Sequence, residues 1–326
     1  MKKIIGLILA VVLTLGFAGC TENNANVESE KIKIGLLQFA DHPSLDNIRA
    51  GILEGLKEAG FDESKVEIEY QNSQAETAIA NTIAQNFVAK KMDLICAIAT
   101  PAAQAAANAA ETAGIPVIFS AITDPVASEL VITNENPGKN ATGTSDVLPA
   151  EKQLKMIKAF VPDVQKIGIL YSTNEVNSES SINDLKAVAP SEGIEIVAMG
   201  VSNQADLPMA IDTILTRVDA IVNVMDNLVV SNLSVLLDKA TAQKIPVFGS
   251  EEEQVKNGCV ASEGIDYITL GKKTSEMIIE VLGGKEVGTL PVVVFTNSIP
   301  TINKNAVEAF GLTLPDIYKD NVNFVN

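Results

Sequence analysis

The 326-residue chain contains no tryptophan, three cysteines and a single histidine, and aromatic residues make up only 4% of it. The lone His42 has no serine or cysteine partner at a recognisable spacing, so a nucleophile–base pair is not indicated. No His/Cys cluster, phosphate-binding loop or G-x-G-x-x-G fingerprint appears. The sequence therefore predicts neither an enzyme nor a resident cofactor or metal.

Positive charge is also scarce. Lys and Arg total 24 against 41 Asp and Glu, which gives a net charge of −17. Nucleic-acid binding requires a basic face, so nucleic acid is excluded as a partner. Hydrophobic residues make up 47% of the chain, and its length suits about two domains of roughly 100–200 residues.

The first twenty residues differ from the rest. Two lysines precede the uncharged apolar run Ile4–Ala18, which is shorter than the ~20 residues of a membrane span and fits a secretory signal. The run ends in "FAGC", which resembles a bacterial lipobox. We expect a signal peptide at 1–19, a lipid-modified Cys20 and a flexible tether at 20–30, and hence a lipid-anchored protein at the cell surface or in the periplasm. The alternative is an ordinary secreted protein cleaved nearby.

Two other cysteines, Cys96 and Cys259, fall in different halves of the chain. Cys96 lies in an apolar strand pattern, and Cys259 follows a glycine. We expect buried free thiols rather than a disulfide bridge.

From Lys31, apolar strands alternate with helical stretches of 10–20 residues, the pattern of parallel βαβ units. The pattern then repeats. "KIGILYS" echoes "KIGLLQF" at an offset of 133 residues, "VDAIVNVMD" echoes "MDLICAIAT" at 126, and "KIPVFGS" echoes "GIPVIFS" at 130. The constant order and spacing predict two similar doubly wound α/β lobes.

The end of the chain suggests how the lobes are joined. We expect lobe 1 to comprise 31–145 and 263–290, and lobe 2 to comprise 146–262 and 291–326. Two or three crossing strands would form a hinge between them.

In open α/β sheets, ligands bind at the carboxyl ends of the strands. The polar residues predicted at these ends, which two facing lobes would bring into one cleft, are Gln38, Thr100, Thr123, Asp124, Tyr171, Ser172, Asp226, Asn227, Ser250 and Glu251.

The segment "AIATPAAQAAANAAETAG" places Thr100 as a helix N-cap, with Pro101 at the first helical position. The following amides, at Ala102 and Ala103, are predicted to bind an anion at the positive end of the helix dipole. With Asp124 and Asp226 as partners for an ammonium group, the set predicts capture of a zwitterion, which points to an amino acid.

Seven short motifs carry a family resemblance: "HPSLD", "AIATPAAQA", "TDP", "GTSD", "LYSTNEVNS", "MDN" and "GIDYITLG". Because these motifs occur in this order between Lys31 and Pro315, the chain resembles the tryptophan/tyrosine-type ABC transporter substrate-binding proteins. These are two-lobed proteins similar in fold to the first class of periplasmic binding proteins. The resemblance implies a lipoprotein or periplasmic receptor that delivers an aromatic amino acid to an ABC permease.

The motif residues that the resemblance assigns to ligand binding are Thr100, Pro101, Ala102, Asp124, Asp146, Tyr171, Ser172, Glu175, Asn177, Asp226 and Asn227. Gln38 and Glu251 complete our predicted site from the strand ends. We expect a monomer.

The sequence alone leaves other functions open. The same receptor fold could bind a sugar or nucleoside, although sugar sites use aromatic rings that this chain largely lacks. It could also sense a ligand for a membrane kinase. A transcriptional effector domain shares the fold but would need a DNA-binding module in place of the signal peptide.

Overall fold

The computed structural model describes residues 31–147 and 149–326. The predicted signal peptide, Cys20 and the tether lie outside the described residues. Within the described part of the chain, no helix has both the length and the apolar character needed to cross a membrane.

Strands and helices alternate through most of the chain. The elements of its first half are β1 (Ile32–Gln38), α1 (Pro43–Glu58), β2 (Val66–Asn72), α2 (Thr77–Ala89), β3 (Leu94–Ile98), α3 (Thr100–Ala110), β4 (Val117–Ser120), β5 (Ala141–Ser145), α4 (Ala150–Phe160) and β6 (Lys166–Ser172). Those that follow are α5 (Val176–Val188), β7 (Glu195–Val201), α6 (Leu207–Leu215), β8 (Ala220–Val222), α7 (Asn227–Ser231), α8 (Leu233–Gln243), β9 (Val247–Phe248), α9 (Glu252–Lys256), β10 (Ala261–Gly264), α10 (Tyr267–Leu282), β11 (Val293–Val294), β12 (Ile299–Asn303), α11 (Lys304–Ala309) and β13 (Asn323–Val325).

The first lobe is built on a six-stranded sheet of order β11-β5-β4-β3-β1-β2, with every pair parallel. The central strand β3 is buried along its whole length, as expected for a parallel strand covered by helices on both faces. One continuous core contains the first-lobe helices and α10.

The second lobe repeats this order. Its sheet runs β7-β6-β8-β9, again parallel, which matches β2-β1-β3-β4 of the first lobe. Backbone hydrogen bonds from Gly249 N to Ala261 O (2.9 Å) and from Val260 N to Val247 O (2.7 Å) continue the pairing to β10. Beyond β10 lie β12 and β13. The predicted fold, two similar doubly wound lobes, is confirmed.

The chain passes between the lobes after β5, after β10 and after β11. One boundary differs from our expectation: β11 pairs in parallel with β5, so Val293–Val294 belongs to the first sheet although we placed 291–326 in lobe 2. Helix α10, which returns to the first lobe, packs closely on α1. The contact is so close that a Cβ at Gly51 would stand 2.2 Å from the Ile268 carbonyl oxygen, so only glycine fits there.

Cys96 is buried in the first-lobe core and Cys259 in the core between the second sheet and helices α6 and α8. Both are free thiols, as predicted. Burial raises the pKa of Cys96 to about 12, so this thiol is unreactive.

Candidate functional site

The carboxyl ends of the strands of both lobes meet at one small cavity, which we call the inner cavity. The nine residues that line it are Leu45, Ala99, Thr100, Ala121, Thr123, Asp146, Asn177, Met225 and Asn227. Five of the residues that we predicted at the strand ends or from the family motifs are among them: Thr100, Thr123, Asp146, Asn177 and Asn227. The parallel strand pattern therefore predicted that these side chains lie together, while the contacts of individual side chains differ from those predicted.

Thr100 does not cap α3 as we predicted. The helix begins at Thr100 itself, after Ala99, and the threonine side chain makes no capping hydrogen bond. Instead Thr100 Oγ1 is buried and has no hydrogen-bond partner within the described residues. A buried hydroxyl without a partner is costly, and a hydrogen bond to a ligand would remove this cost.

The amides at the start of α3 also differ in part from the prediction. Ala103 N donates to Ala99 O at 3.0 Å, so it is already used within the protein. Pro101 has no N–H, and Ala102 lies in the first turn, where amides lack intrahelical acceptors. Thr100 Oγ1 is therefore the unpartnered polar group that the start of α3 presents to the inner cavity, and Ala102 does not line it.

Two alanines in the cavity wall have an unusual backbone. Ala99, after β3, has φ 76°, and Ala121, after β4, has φ 57°. L-residues rarely adopt positive φ, and such strain clusters at binding sites, where the surrounding structure imposes it. The small side chains of these two alanines leave room in the cavity.

Asp146, just after β5, supplies the only carboxylate among the described residues that line the inner cavity. Its Oδ2 accepts a hydrogen bond from Tyr267 OH at 2.9 Å, and its Oδ1 a longer one from Thr123 Oγ1 at 3.4 Å. Burial raises the pKa of Asp146, against the opposite effect of these donors. A cation beside it would stabilise the ionised form.

On the second lobe, two asparagines face the cavity and are held by Glu175. Asn177 Nδ2 donates to Met225 O (2.7 Å) and to Glu175 Oε2 (3.1 Å), and its Oδ1 has no partner within the described range. Asn227 donates to Glu175 Oε2 from its backbone N (3.0 Å) and from Nδ2 (2.5 Å). Glu175 thus lies behind the site and orients both amides.

Glu175 is itself fully buried and lies close to Asp226. Burial and the negative charge of Asp226 raise the pKa of Glu175 to about 8, while hydrogen bonds from Asn227 and Asn177 act in the opposite direction. Its role is to position Asn177 and Asn227 rather than to contact the cavity.

Asp226, predicted as an ammonium partner, does not reach the inner cavity. It caps α7: its Oδ1 accepts from Val229 N at 2.9 Å. Its Oδ2 accepts from Ser172 N at 2.6 Å and Ser178 Oγ at 2.7 Å. With both oxygens occupied inside its own lobe, Asp226 is a structural carboxylate.

Asp124 is likewise turned away. Its Oδ1 accepts from the amides of Val126 (3.1 Å) and Ala127 (2.9 Å), which stabilises the "TDP" turn. It does not line the inner cavity.

Three further predicted residues lie near the cleft without lining the inner cavity. Gln38 anchors the β1–α1 region, since it donates to Ala40 O (2.7 Å) and accepts from Arg49 (2.7 Å). Ser172 lines a larger outer cleft of about 680 Å³. Tyr171 packs against the second-lobe core.

Glu251 connects the lobes. It caps α9 by accepting from Glu253 N (2.7 Å) and Gln254 N (2.8 Å), and it accepts from Ser44 Oγ of the first lobe at 3.0 Å. Nearby, Asn47 Nδ2 donates to Glu253 Oε1 at 3.0 Å. These bonds, with His42 Nε2 and Asn227 Oδ1 3.3 Å apart, show the lobes in contact.

Glu251 makes stability depend on pH. Burial raises its pKa to about 7 in the folded protein, above the ordinary value of 4.5. Because the folded pKa is raised, its stabilising contribution is fully present below about pH 4.5 and is lost as pH rises through about 7. We expect the free energy of unfolding to fall over this range by up to about 3 kcal/mol from this residue. Urea titrations at several pH values would measure it.

The matched variant is Glu251→Gln, which keeps a capping oxygen but does not titrate. We expect its unfolding free energy to vary less with pH than that of the wild type. Equal pH slopes for the two proteins would contradict the assignment to Glu251.

Sequence reasoning missed four lining residues: Leu45, Ala99, Ala121 and Met225. Ala99 and Ala121 directly follow β3 and β4, so their position at the strand ends offered a signal, but the alanine side chain has no polar group that would indicate a site. Leu45 and Met225 are ordinary apolar residues in sequence and become part of the site only when the lobes meet.

Two parallel-sheet lobes, three crossings between them and a polar cavity at the facing strand ends define a type I periplasmic-binding-protein-like fold. The family model described as "ABC transporter substrate binding protein" matches residues 33–321. The chain belongs to this family.

Among curated proteins, the chain is 39% identical to a tyrosine-binding protein of Clostridioides difficile (strain R20291), over 99% of this chain and 96% of that protein. Among solved structures, an ABC domain from Streptococcus pneumonia in complex with L-Trp is 37% identical, with a TM-score of 0.88, over 91% of this chain and all of that one. The ligand-free, open structure of an adhesive substrate-binding protein from Clostridium difficile is 37% identical, with a TM-score of 0.67, over 90% and 99% of the two chains. At equal identity, the overall structure of our protein is more similar to the L-Trp complex than to the open structure.

Proposed function

We propose that this protein captures an aromatic amino acid, tyrosine or tryptophan, between its lobes and delivers it to an ABC permease. The observation that carries the proposal is the inner cavity, which sets the unpartnered Thr100 Oγ1 and the start of α3 against the carboxylate of Asp146. The named ligands of two similar proteins, tyrosine and L-Trp, support the same class of ligand.

In this proposal each end of the zwitterion has its own partner. The ligand carboxylate accepts from Thr100 Oγ1 and the amide of Ala102 at the positive end of α3. The ammonium group donates to Asp146 and to the free Oδ1 of Asn177. No lysine or arginine lines the inner cavity in the described chain, so neutral donors and the helix dipole bind the carboxylate.

Ligand entry requires the lobes to separate. The inner cavity measures about 10 Å³, room for roughly one water molecule. An amino acid therefore enters an opened cleft, and lining side chains such as Leu45 and Met225 shift to admit its ring. Closure then buries the ligand between both lobes.

We further propose that Cys20 is lipid-modified, that the tether 20–30 links the receptor to the outer face of the membrane, and that the protein has no enzymatic activity. The "FAGC" sequence supports the anchor, and membership of a transport-receptor family supports the absence of catalysis. Metabolic labelling with a fatty acid, with Cys20→Ser as control, tests the anchor. Equal label in the two proteins would overturn it.

A thermal-shift screen of the chain from Thr21, unfolded and refolded to remove bound solute, tests the ligand class. At 100 times its dissociation constant a ligand stabilises the protein by about 2.7 kcal/mol, a shift of several degrees. We expect shifts from L-tyrosine, L-tryptophan or L-phenylalanine. A response only to a sugar or nucleoside would overturn the zwitterion site and leave the receptor class in place.

A further inference from the structure

We propose that His42 is a positioning residue that holds Asn227 in its ligand-facing orientation when the lobes close. His42 precedes α1 in the first lobe, and Asn227 begins α7 in the second. The inference rests on the proposed function, because Asn227 is taken to face the ligand in the inner cavity.

The direction of the Asn227 amide is fixed by Glu175. Since Asn227 Nδ2 donates to Glu175 Oε2 at 2.5 Å, its Oδ1 faces His42 Nε2, at 3.3 Å. An oxygen accepts only from a nitrogen that carries hydrogen, so the imidazole proton is on Nε2. Nδ1 is then an acceptor, and it has no partner within the described residues.

His42 acts through Asn227 rather than on the ligand. The histidine does not line the inner cavity but a separate cleft of about 240 Å³, on the outer side of the contact. Asn227 lines the inner cavity. The Glu175–Asn227–His42 chain therefore spans from the second lobe to the first through a residue of the site. Its last bond forms only when the lobes approach.

Burial lowers the pKa of His42 in the closed form, although the bond to Asn227 acts in the opposite direction. A second proton, on Nδ1, would be buried without an acceptor among the described residues, so the closed form favours neutral His42. The acidic groups around it are Asp41 and Asp46 on its own segment, Glu251 and Glu253 on the α9 side of the 240 Å³ cleft, and Glu175 behind Asn227. In the open form the ring regains an ordinary pKa of ~6.5. Closure must then expel a proton below that pH, so affinity falls on acidification.

The test is stopped-flow kinetics of L-tyrosine or L-tryptophan with wild type, His42→Ala and Asn47→Ala. Asn47 is the matched control, since it also bonds across the lobes but its partner Glu253 does not line the inner cavity. We expect His42→Ala to raise the dissociation rate about tenfold and the association rate by less than twofold. Asn47→Ala should change the dissociation rate by less than about threefold.

Two further readouts separate positioning from a merely structural role. In an Asn227→Ala background, His42→Ala should have no added effect on dissociation. The loss of affinity between pH 7 and pH 5.5 should be smaller in His42→Ala than in the wild type, a comparison in which other titrating groups cancel. Equal dissociation rates for wild type and His42→Ala, or an undiminished effect in the Asn227→Ala background, would overturn the inference.

A ligand-free measurement keeps this result distinct from failure of the proposed function. Spin labels at the exposed positions Ile79 (α2) and Met209 (α6) report the distance between the lobes. We expect His42→Ala to shift the distribution toward long distances relative to the wild type. Absence of aromatic amino-acid binding by the wild type would overturn the proposed function, whereas identical distance distributions would overturn the inference on His42.

Discussion

Asp146→Asn is expected to weaken binding of L-tyrosine or L-tryptophan by about 10- to 100-fold. Asp146 is the only carboxylate that lines the inner cavity within the described residues, and it would pair with the ligand ammonium. A hydrogen bond to a charged group contributes about 1.5–3 kcal/mol, which corresponds to this loss. Asparagine retains an oxygen that can accept from Tyr267 OH, so the protein should fold. Isothermal titration calorimetry measures the change.

Asp124→Asn is the matched control for this prediction. Asp124 is also acidic and follows a strand of the first lobe, but its carboxylate serves a turn outside the cavity. We expect its affinity to stay within about twofold of the wild type. A large loss with Asp124→Asn and none with Asp146→Asn would restore our original sequence-based prediction for the ammonium partner.

The pH dependence of ligand affinity gives an independent test of the pairing between Asp146 and the ligand ammonium group. Burial raises the pKa of Asp146 in the ligand-free protein, and a bound ammonium group favours the ionised carboxylate. Affinity should therefore decrease as pH falls through the raised pKa. In the Asp146→Asn variant, the change of affinity with pH that is due to Asp146 should disappear. Any pH dependence that remains would include the contribution from His42.

Asp226→Ala is expected to lower the free energy of unfolding by about 2–4 kcal/mol, with little effect on the affinity of the protein that remains folded. The substitution leaves Ser172 N, Ser178 Oγ and Val229 N without their acceptor in the interior. Each unsatisfied buried donor costs about 1–3 kcal/mol. Relief of repulsion with Glu175 offsets part of the loss.

Urea denaturation of Asp226→Ala and Asp124→Ala tests this division of roles. We expect Asp124→Ala to cost less than about 1 kcal/mol, because only an exposed turn is affected. If Asp226→Ala were as stable as the wild type but lost binding by tenfold or more, Asp226 would be a ligand contact and our structural assignment would be wrong.

The fold could be predicted from the sequence because the same pattern of strands and helices occurs twice along the chain. Strands such as "KIGLLQF" and "KIGILYS" occupy equivalent places, β1 and β6, in the two sheets. Parallel strands bring their carboxyl ends to one edge, so the position of the cleft followed from topology alone.

The roles of the acidic residues could not be predicted in the same way. Three acidic residues follow strands: Asp124, Asp226 and Glu251. The carboxylate of each accepts a hydrogen bond from a backbone amide three residues later in the chain. That local geometry is the ordinary behaviour of an acidic residue at a turn or a helix start, and it competes with ligand binding. Asp146 differs because it follows β5 at a crossing between lobes, where no helix begins directly, and it accepts from the side chains of Tyr267 and Thr123 at the inner cavity.

The central claim is that the zwitterion is bound at both ends, by the start of α3 and by Asp146. The most direct test is isothermal titration calorimetry of three ligands on one refolded preparation. The first ligand is whichever of L-tyrosine and L-tryptophan binds more tightly. The other two are its analogues: the amine, which lacks the carboxylate, and the acid, which lacks the ammonium group. We predict that each analogue binds at least about tenfold more weakly than the amino acid, with Asp146→Asn weakening the amino acid and the amine but not the acid. An acid that binds as tightly as the amino acid would contradict the account.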